Sequence, residues 1–360
     1  MPSPNPSPVP QKVELGYLVS PEYTRTADLA HAIVEQQRVV SACRDLGFTS
    51  VMAAEHFSRS SSVWFPPLML LPRLLDSGEG MKFGTTILSA GLHNPVVLAE
   101  QAAFLDVATG GRFTLGLGAG WNAAEFASLG APMSQRGQGL TEAVSILRAL
   151  WGEGLPEGFS GKVHDVPPME MSLKPLQKDG PAIWLGGGSD AALVRAAEIA
   201  DTWVASSHMS LEAVESQART YEREVARVGR ELPSVRPALK SIHVGTSKAA
   251  AIEEVREPLV RSYKTFGEWG LFRDVLDEAD RVVDLALSEE RAVIGGPSEV
   301  AEDLIDFVRR TGSNLILVRA QWLGLDYRKT IASLERLATE VLPEVNKELA
   351  RTSSSRKGGA

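Results

Sequence analysis

The chain has 360 residues, 44% hydrophobic and 23% charged, with a formal net charge of −8, an ordinary globular composition without the basic surplus that marks a nucleic-acid partner. Cys43 is the only cysteine, so an intrachain disulfide framework and a cysteine-based metal site are excluded, and the six histidines, with no H-x-H or H-x-x-x-H pair, give no sign of a metal centre. No apolar run approaches the ~18 residues of a membrane span, and "MPSPNPSPVPQK" lacks the apolar core of a signal peptide, so the expectation is a cytoplasmic protein with no membrane partner.

Residues 1–12, with alternating prolines, read as an extended disordered tail, and the polar stretch 348–360 as a second one. Between them lies one domain, 13–347, since a single α/β barrel needs roughly 250 residues or more. "VELGYLVS" is the first strand, and Leu29, Ile33, Val40, Cys43 and Leu46 set a helix over 26–46. "FTSVMAAEHF" is the second strand, followed by an apolar run from Trp64 to Leu75 that reads as a buried helix. "KFGTTILS" is the third, Asn94-Pro95 opens the next helix, and "RFTLGLG" is the fourth strand. A helix over Thr141–Trp151 follows, then strands "AIWLGG", "TWVASS", "PALKSIHVG" and "SNLILVRA", with helices near 189–200, 210–229, 298–311 and 327–341. Eight strands alternating with helices describe a (β/α)8 TIM-type barrel with an insertion before the last strand units. The alternative on the same pattern is an open doubly wound sheet. The insertion, 263–292 with "FGEWGLF", is long enough for a lid over the barrel mouth and equally fits a surface excursion.

In such a barrel the chemistry sits where strands end. The second strand ends at Glu55-His56-Phe57. His56 suits proton transfer or hydrogen bonding to a substrate, and also suits a satisfied rim histidine. His93 lies in a loop near the same mouth, and Arg112 reads as structural. The fourth strand carries glycines at alternate positions, Gly116, Gly118 and Gly120, followed by Trp121. This G-x-G-x-G is not the G-x-G-x-x-G of a dinucleotide site. It fits a strand end whose face must admit something bulky against the backbone. "GGGSD", Gly186 to Asp190, precedes a helix. Its bare N–H groups suit a phosphate, and Ser189 or Asp190 equally suits an ordinary helix cap.

Taken together, "GFTSVMAAEHF", "GTTILSAGLHNPVVLAEQAAFLDVATGGRFTLGLGAGWNAAEFASLGAP", "PAIWLGGGSDAALVRAAEIADTW" and "IGGPSEVAEDLIDFVRRTGSNLILVRAQW" resemble the bacterial luciferase-like monooxygenase family over about residues 13 to 345. The resemblance implies a flavin- or deazaflavin-dependent enzyme on a (β/α)8 barrel. It makes His56 the active-site histidine. It puts Gly118, Ala119, Gly120 and Trp121 beside the ring, the Thr86–Ile87 bond behind it as a non-prolyl cis peptide, and Gly187, Gly188 and Ser189 on the phosphate. Four positions depart from the pattern. Luciferases have arginine where this chain has Ala119, and two histidines where it has His56-Phe57. Deazaflavin sugar-phosphate dehydrogenases have glutamate at Trp121, and deazaflavin members often show Asp-His where this chain has Glu55-His56. The implied function is monooxygenation of a partly apolar small organic substrate by reduced FMN and O2. The FMN would come from a separate flavin reductase, and the enzyme would be a homodimer. The alternatives are deazaflavin (coenzyme F420) hydride transfer on the same barrel and a non-catalytic flavin-binding protein.

Overall fold

Near-continuous apolar strands such as "LILV" cannot leave either face in water, and they assemble here into one curled parallel sheet. The structure, a computed structural model, describes residues 9–19, 22–57, 62–269 and 279–357. Across the sheet the strands run Thr202–Val204, Ala182–Gly186, Phe113–Gly118, Lys82–Thr85, Ser50–Ala53, Glu14–Val19, Leu315–Arg319, Pro237–Val244 and Ala292–Gly295. The first strand pairs with Leu315–Arg319, Gly16 opposite Leu317, so the two ends of the chain's strand order are neighbours. A doubly wound sheet would instead reverse its order in the middle. One end of this path, Thr202–Val204, meets Pro237–Val244, the strand next to the other end, at an isolated parallel bridge between Ala205 and Ala238.

Alternation along each strand sorts side chains between two cores. Leu15, Tyr17 and Val19 pack with the outer helices in the large apolar cluster, whereas Leu18 joins Met52, Trp184, Val204, Leu315 and Leu317 in a smaller inner one. The helices start where capping chemistry tells them to. Asp28 accepts the N–H groups of Ala30 and His31 at 3.1 Å for the helix Leu29–Asp45, and Asn94 caps Pro95–Ala108.

All eight strand segments read from the sequence lie in this sheet. Ala292–Gly295, which extends it beyond Pro237–Val244, has no counterpart among them. Three boundaries are corrected. Trp64 belongs not to a helix but to the short strand Val63–Trp64, paired antiparallel with Glu22–Tyr23. The consecutive prolines Pro66 and Pro67 keep the chain extended until the short helix Pro67–Leu70 begins. The helix starting nominally at Thr141 begins at Arg136. The last helix, Leu342–Lys357, runs into the segment read as a polar tail, because Val345 and Leu349 are buried. Residues 270–278, in the middle of the expected insertion, lie outside the described residues. The flanks of that insertion are the helices Lys248–Glu268 and Ala279–Ser288. Among the described residues no helix is long and apolar enough to cross a membrane.

Candidate active site

Two adjacent residues at the end of the strand Ser50–Ala53 take opposite tasks. The Glu55 carboxylate accepts the N–H of Ser89 at 3.0 Å and holds His93 Nε2 at 2.9 Å. It ties the second strand end to the third, and His93 is thereby a structural partner. His56 turns the other way. Its Nδ1 lies 3.2 Å from Oε1 of Glu125, and the same oxygen accepts the N–H of Phe57 at 3.2 Å. Glu125 sits in the first turn of the helix Ala123–Ser128, which Asn122 caps by accepting the N–H of Ala124. The His56 ring is surrounded by indoles: Trp64 at 4.6 Å, Trp269 at 4.7 Å and Trp121 at 6.3 Å between centroids. Trp269 follows the helix Lys248–Glu268, so the described part of "FGEWGLF" reaches the histidine.

The alternate glycines meet protein first. A Cβ on Gly116 would stand 2.0 Å from the carbonyl oxygen of Thr85, and one on Gly118 2.0 Å from Cδ1 of Ile87. Thr85 Oγ1 accepts the N–H of Gly116 and donates to its carbonyl oxygen, both at 2.9 Å. The bulky object admitted against these two glycines is therefore the chain Thr85–Ile87. Its Thr86–Ile87 peptide bond is cis, as the resemblance implies. Gly120 has φ +82, and its Cβ would meet Phe126 at 2.6 Å, so it serves the turn into Trp121. Trp121 itself is 39% exposed.

Ile87, Ala119, Gly120, Trp121, Gly187 and Ser189 together line a cavity of about 190 Å³. Thr86, Gly118, Gly188 and His56 do not line it. Ser189 caps the helix Asp190–Ile199 by accepting the N–H of Ala192. Among the described residues, the N–H groups of Gly187, Gly188 and Ser189 donate to no backbone carbonyl. Two arginines that the sequence reading did not single out, Arg136 and Arg195, line the same cavity. Arg195 donates from Nε to Thr141 Oγ1 at 3.0 Å, and Gly137 leaves it room, since a Cβ there would be 2.9 Å from Nη2. Burial pulls the Arg195 pKa below its ordinary value, with Glu198 opposing. No linear spacing connects Arg136 with "GGGS"; only the fold brings them together.

The mouth holds further polar groups that sequence reasoning missed. Arg319 ends its strand buried, 3.7 Å from Glu22 and with its guanidinium 5.1 Å from the Phe266 ring centroid. Burial lowers the Arg319 pKa and raises that of Glu22. His208 lies 4.6 Å from Phe266 between ring centroids. Its pKa is pushed down to about 3 by burial first, then by Arg319, His56 and Arg291. A larger cavity of about 480 Å³ opens at the opposite end of the strands, among Lys12, Thr49, Lys82, Arg112 and Asn314. It shares no residue with the 190 Å³ cavity, and in folds of this kind that end serves stability.

Comparison with known proteins identifies the family and the fold. The family model for luciferase-like monooxygenases matches residues 13–314. An FMNH2-dependent dimethylsulfone monooxygenase of Pseudomonas putida is 30% identical over 158 residues, which is 43% of each chain. Among solved structures, the oxygenating constituent of 3,6-diketocamphane monooxygenase from the CAM plasmid of P. putida, in complex with FMN, is similar with a TM-score of 0.75. It is 20% identical, with 92% of this chain and 98% of that one covered. An F420-dependent secondary alcohol dehydrogenase is similar with a TM-score of 0.74, at 18% identity, covering 93% and 99%. At these identities the structures speak for the fold.

Proposed function

The chain belongs to the luciferase-like monooxygenase family, and we propose that it is an FMN-dependent monooxygenase that oxidises a partly apolar small organic substrate with O2. The 190 Å³ cavity carries the proposal. Its lining joins Ile87, Gly120 and Trp121, low enough to admit a flat ring, with backbone N–H groups at a helix N-terminus, Arg136 and Arg195, suited to a phosphate. The two arginines supply the cation that Ala119 does not. These residues fit a flavin, which when bound would supply the electrons and the position at which O2 is activated.

The chain's own contributions follow from the geometry. His56 is the group placed to move a proton, and Trp64, Trp121 and Trp269 exclude water from it and give an apolar organic substrate a surface. Residues 13–347 would close into a full (β/α)8 barrel, a reading supported by the Ala205–Ala238 bridge. The exposed Met69, Val97 and Phe104 support a homodimer. A separate flavin reductase and a cytoplasmic location belong to the same proposal. Titration of the purified protein with reduced FMN and, in parallel, reduced F420 is the test. Micromolar binding of FMN with reoxidation in air sustains the proposal. F420 binding without oxygen use would replace it by hydride transfer, which the alcohol dehydrogenase fold also houses.

A further inference from the structure

We propose that Glu125 is a positioning residue for His56: it holds the imidazole with its proton on Nδ1 and so makes Nε2 the nitrogen that exchanges protons with bound reactants. The proposal rests on the reading that His56 handles a proton. Oε1 of Glu125 faces two groups at one distance, the Phe57 N–H at 3.2 Å and His56 Nδ1 at 3.2 Å. The Phe57 amide can only donate. An oxygen that already accepts one N–H and sits symmetrically before a second nitrogen is an acceptor for both, which puts the histidine proton on Nδ1. Glu125 is 3% exposed. Water therefore does not screen its charge from the ring, and the carboxylate also stabilises the imidazolium formed when Nε2 takes up a proton.

The neighbouring carboxylate cannot do this work. Glu55 is bound to the Ser89 N–H and to His93. His208, which also acts electrostatically on His56, is held neutral by a pKa of about 3. The frame is fixed from both sides. Asn122 starts the helix that carries Glu125, and the indoles of Trp64 and Trp269 flank the imidazole.

The test uses the full chain, the variants Glu125→Ala, Glu125→Gln and His56→Ala, and the double variant. Imidazole nitrogen-15 NMR, with the His56 signals assigned by their loss in His56→Ala, is expected to show Nδ1 protonated in the parent. Glu125→Ala should shift the neutral ring toward the Nε2–H form. Glu125→Gln should keep the tautomer, because the Phe57 N–H holds the amide oxygen in place, while the ring titrates at lower pH for want of the charge. Reduced FMN mixed with air-saturated buffer gives the second readout, the return of oxidised-flavin absorbance. His56→Ala should change this rate by about 10²-fold and Glu125→Ala by about tenfold or more. The double variant should be no further from the parent than His56→Ala, since Glu125 acts through the ring. An Nε2–H tautomer in the parent, or effects of the two substitutions that multiply, would overturn the proposal. If Glu125→Ala does not fold, an unshifted titration in Glu125→Gln overturns it equally. Should His56→Ala leave the rate unchanged, the catalytic reading of His56 falls, and the tautomer still decides whether Glu125 positions the ring.

Discussion

Two glutamate–histidine pairs begin at consecutive residues and have different consequences. Glu55 and His93 meet at 2.9 Å and lock two strand ends together. His56 and Glu125 meet at 3.2 Å, with the ring set among three indoles. The partners are chemically alike. What separates them is which ring nitrogen is engaged and what lies on the other side: His93 gives Nε2 to the carboxylate, whereas His56 gives Nδ1. A carboxylate–histidine contact is thus not itself a sign of catalysis, and its surroundings assign the role.

The sharpest way to break this comparison is to remove each histidine. His56→Ala should lower single-turnover product formation, normalised to folded protein, by about 10²-fold, with FMN affinity almost unchanged. His93→Ala should leave turnover per folded molecule near normal and cost roughly 1–3 kcal/mol of stability, read by denaturant titration. Equal losses of turnover would erase the distinction.

Next in size is the phosphate end of the cavity. Arg195→Ala removes a charge-assisted donor worth about 1.5–3 kcal/mol, so FMN should bind about tenfold to a hundredfold more weakly. Gly188→Asp should weaken binding in the same direction by placing a carboxylate beside the bare N–H groups. The Gln217 side chain, which a Cβ at Gly188 would meet at 2.4 Å, must move aside to admit it. Calorimetry with riboflavin, which lacks the phosphate, separates the two ends: its affinity should not change in Arg195→Ala.

The asymmetry between the pairs was only half legible in the sequence. His56 announces itself by lying at a strand end, and the "GGGS" turn by preceding a helix, because strand, turn and cap signals are local. Glu125 and Arg195 carry no such sign. The first is 69 positions from His56, and a glutamate in the first turn of a short helix usually serves only the helix. Arg195 lies within an ordinary amphipathic helix and acquires a role only when Arg136 and Gly137 are folded against it. The glycine wall shows the converse. Its need for space was legible, but not that the neighbouring strand's own chain fills most of it. Leu349 explains the corrected tail: polar composition at 348–360 hid one apolar side chain with a place in the core.

A third test concerns that tail. Leu349→Ala should cost about 2–5 kcal/mol, as for a buried leucine in a packed core, while both histidine pairs keep their geometry. Unchanged thermal stability would mean that the last helix is not docked as described.

The smallest expected effect concerns the other histidine of the mouth. His208, beside Phe266, has its pKa depressed to about 3, with burial as the first cause and Arg319 the second. In the unfolded chain a histidine titrates near pH ~6.5. Below that value the unfolded state binds a proton that the folded state refuses until about pH 3. Stability should therefore fall as the solution is acidified through this window, by less than about 1.4 kcal/mol per pH unit for one proton. His208→Gln keeps a polar side chain of similar reach but cannot be protonated, so its acid limb should be shallower than the parent's between those two values. Above pH ~6.5 the two proteins should show no difference in slope. The His93→Ala variant should not reproduce this flattening. Parallel acid limbs for parent and His208→Gln would show that His208 is solvated enough to titrate normally.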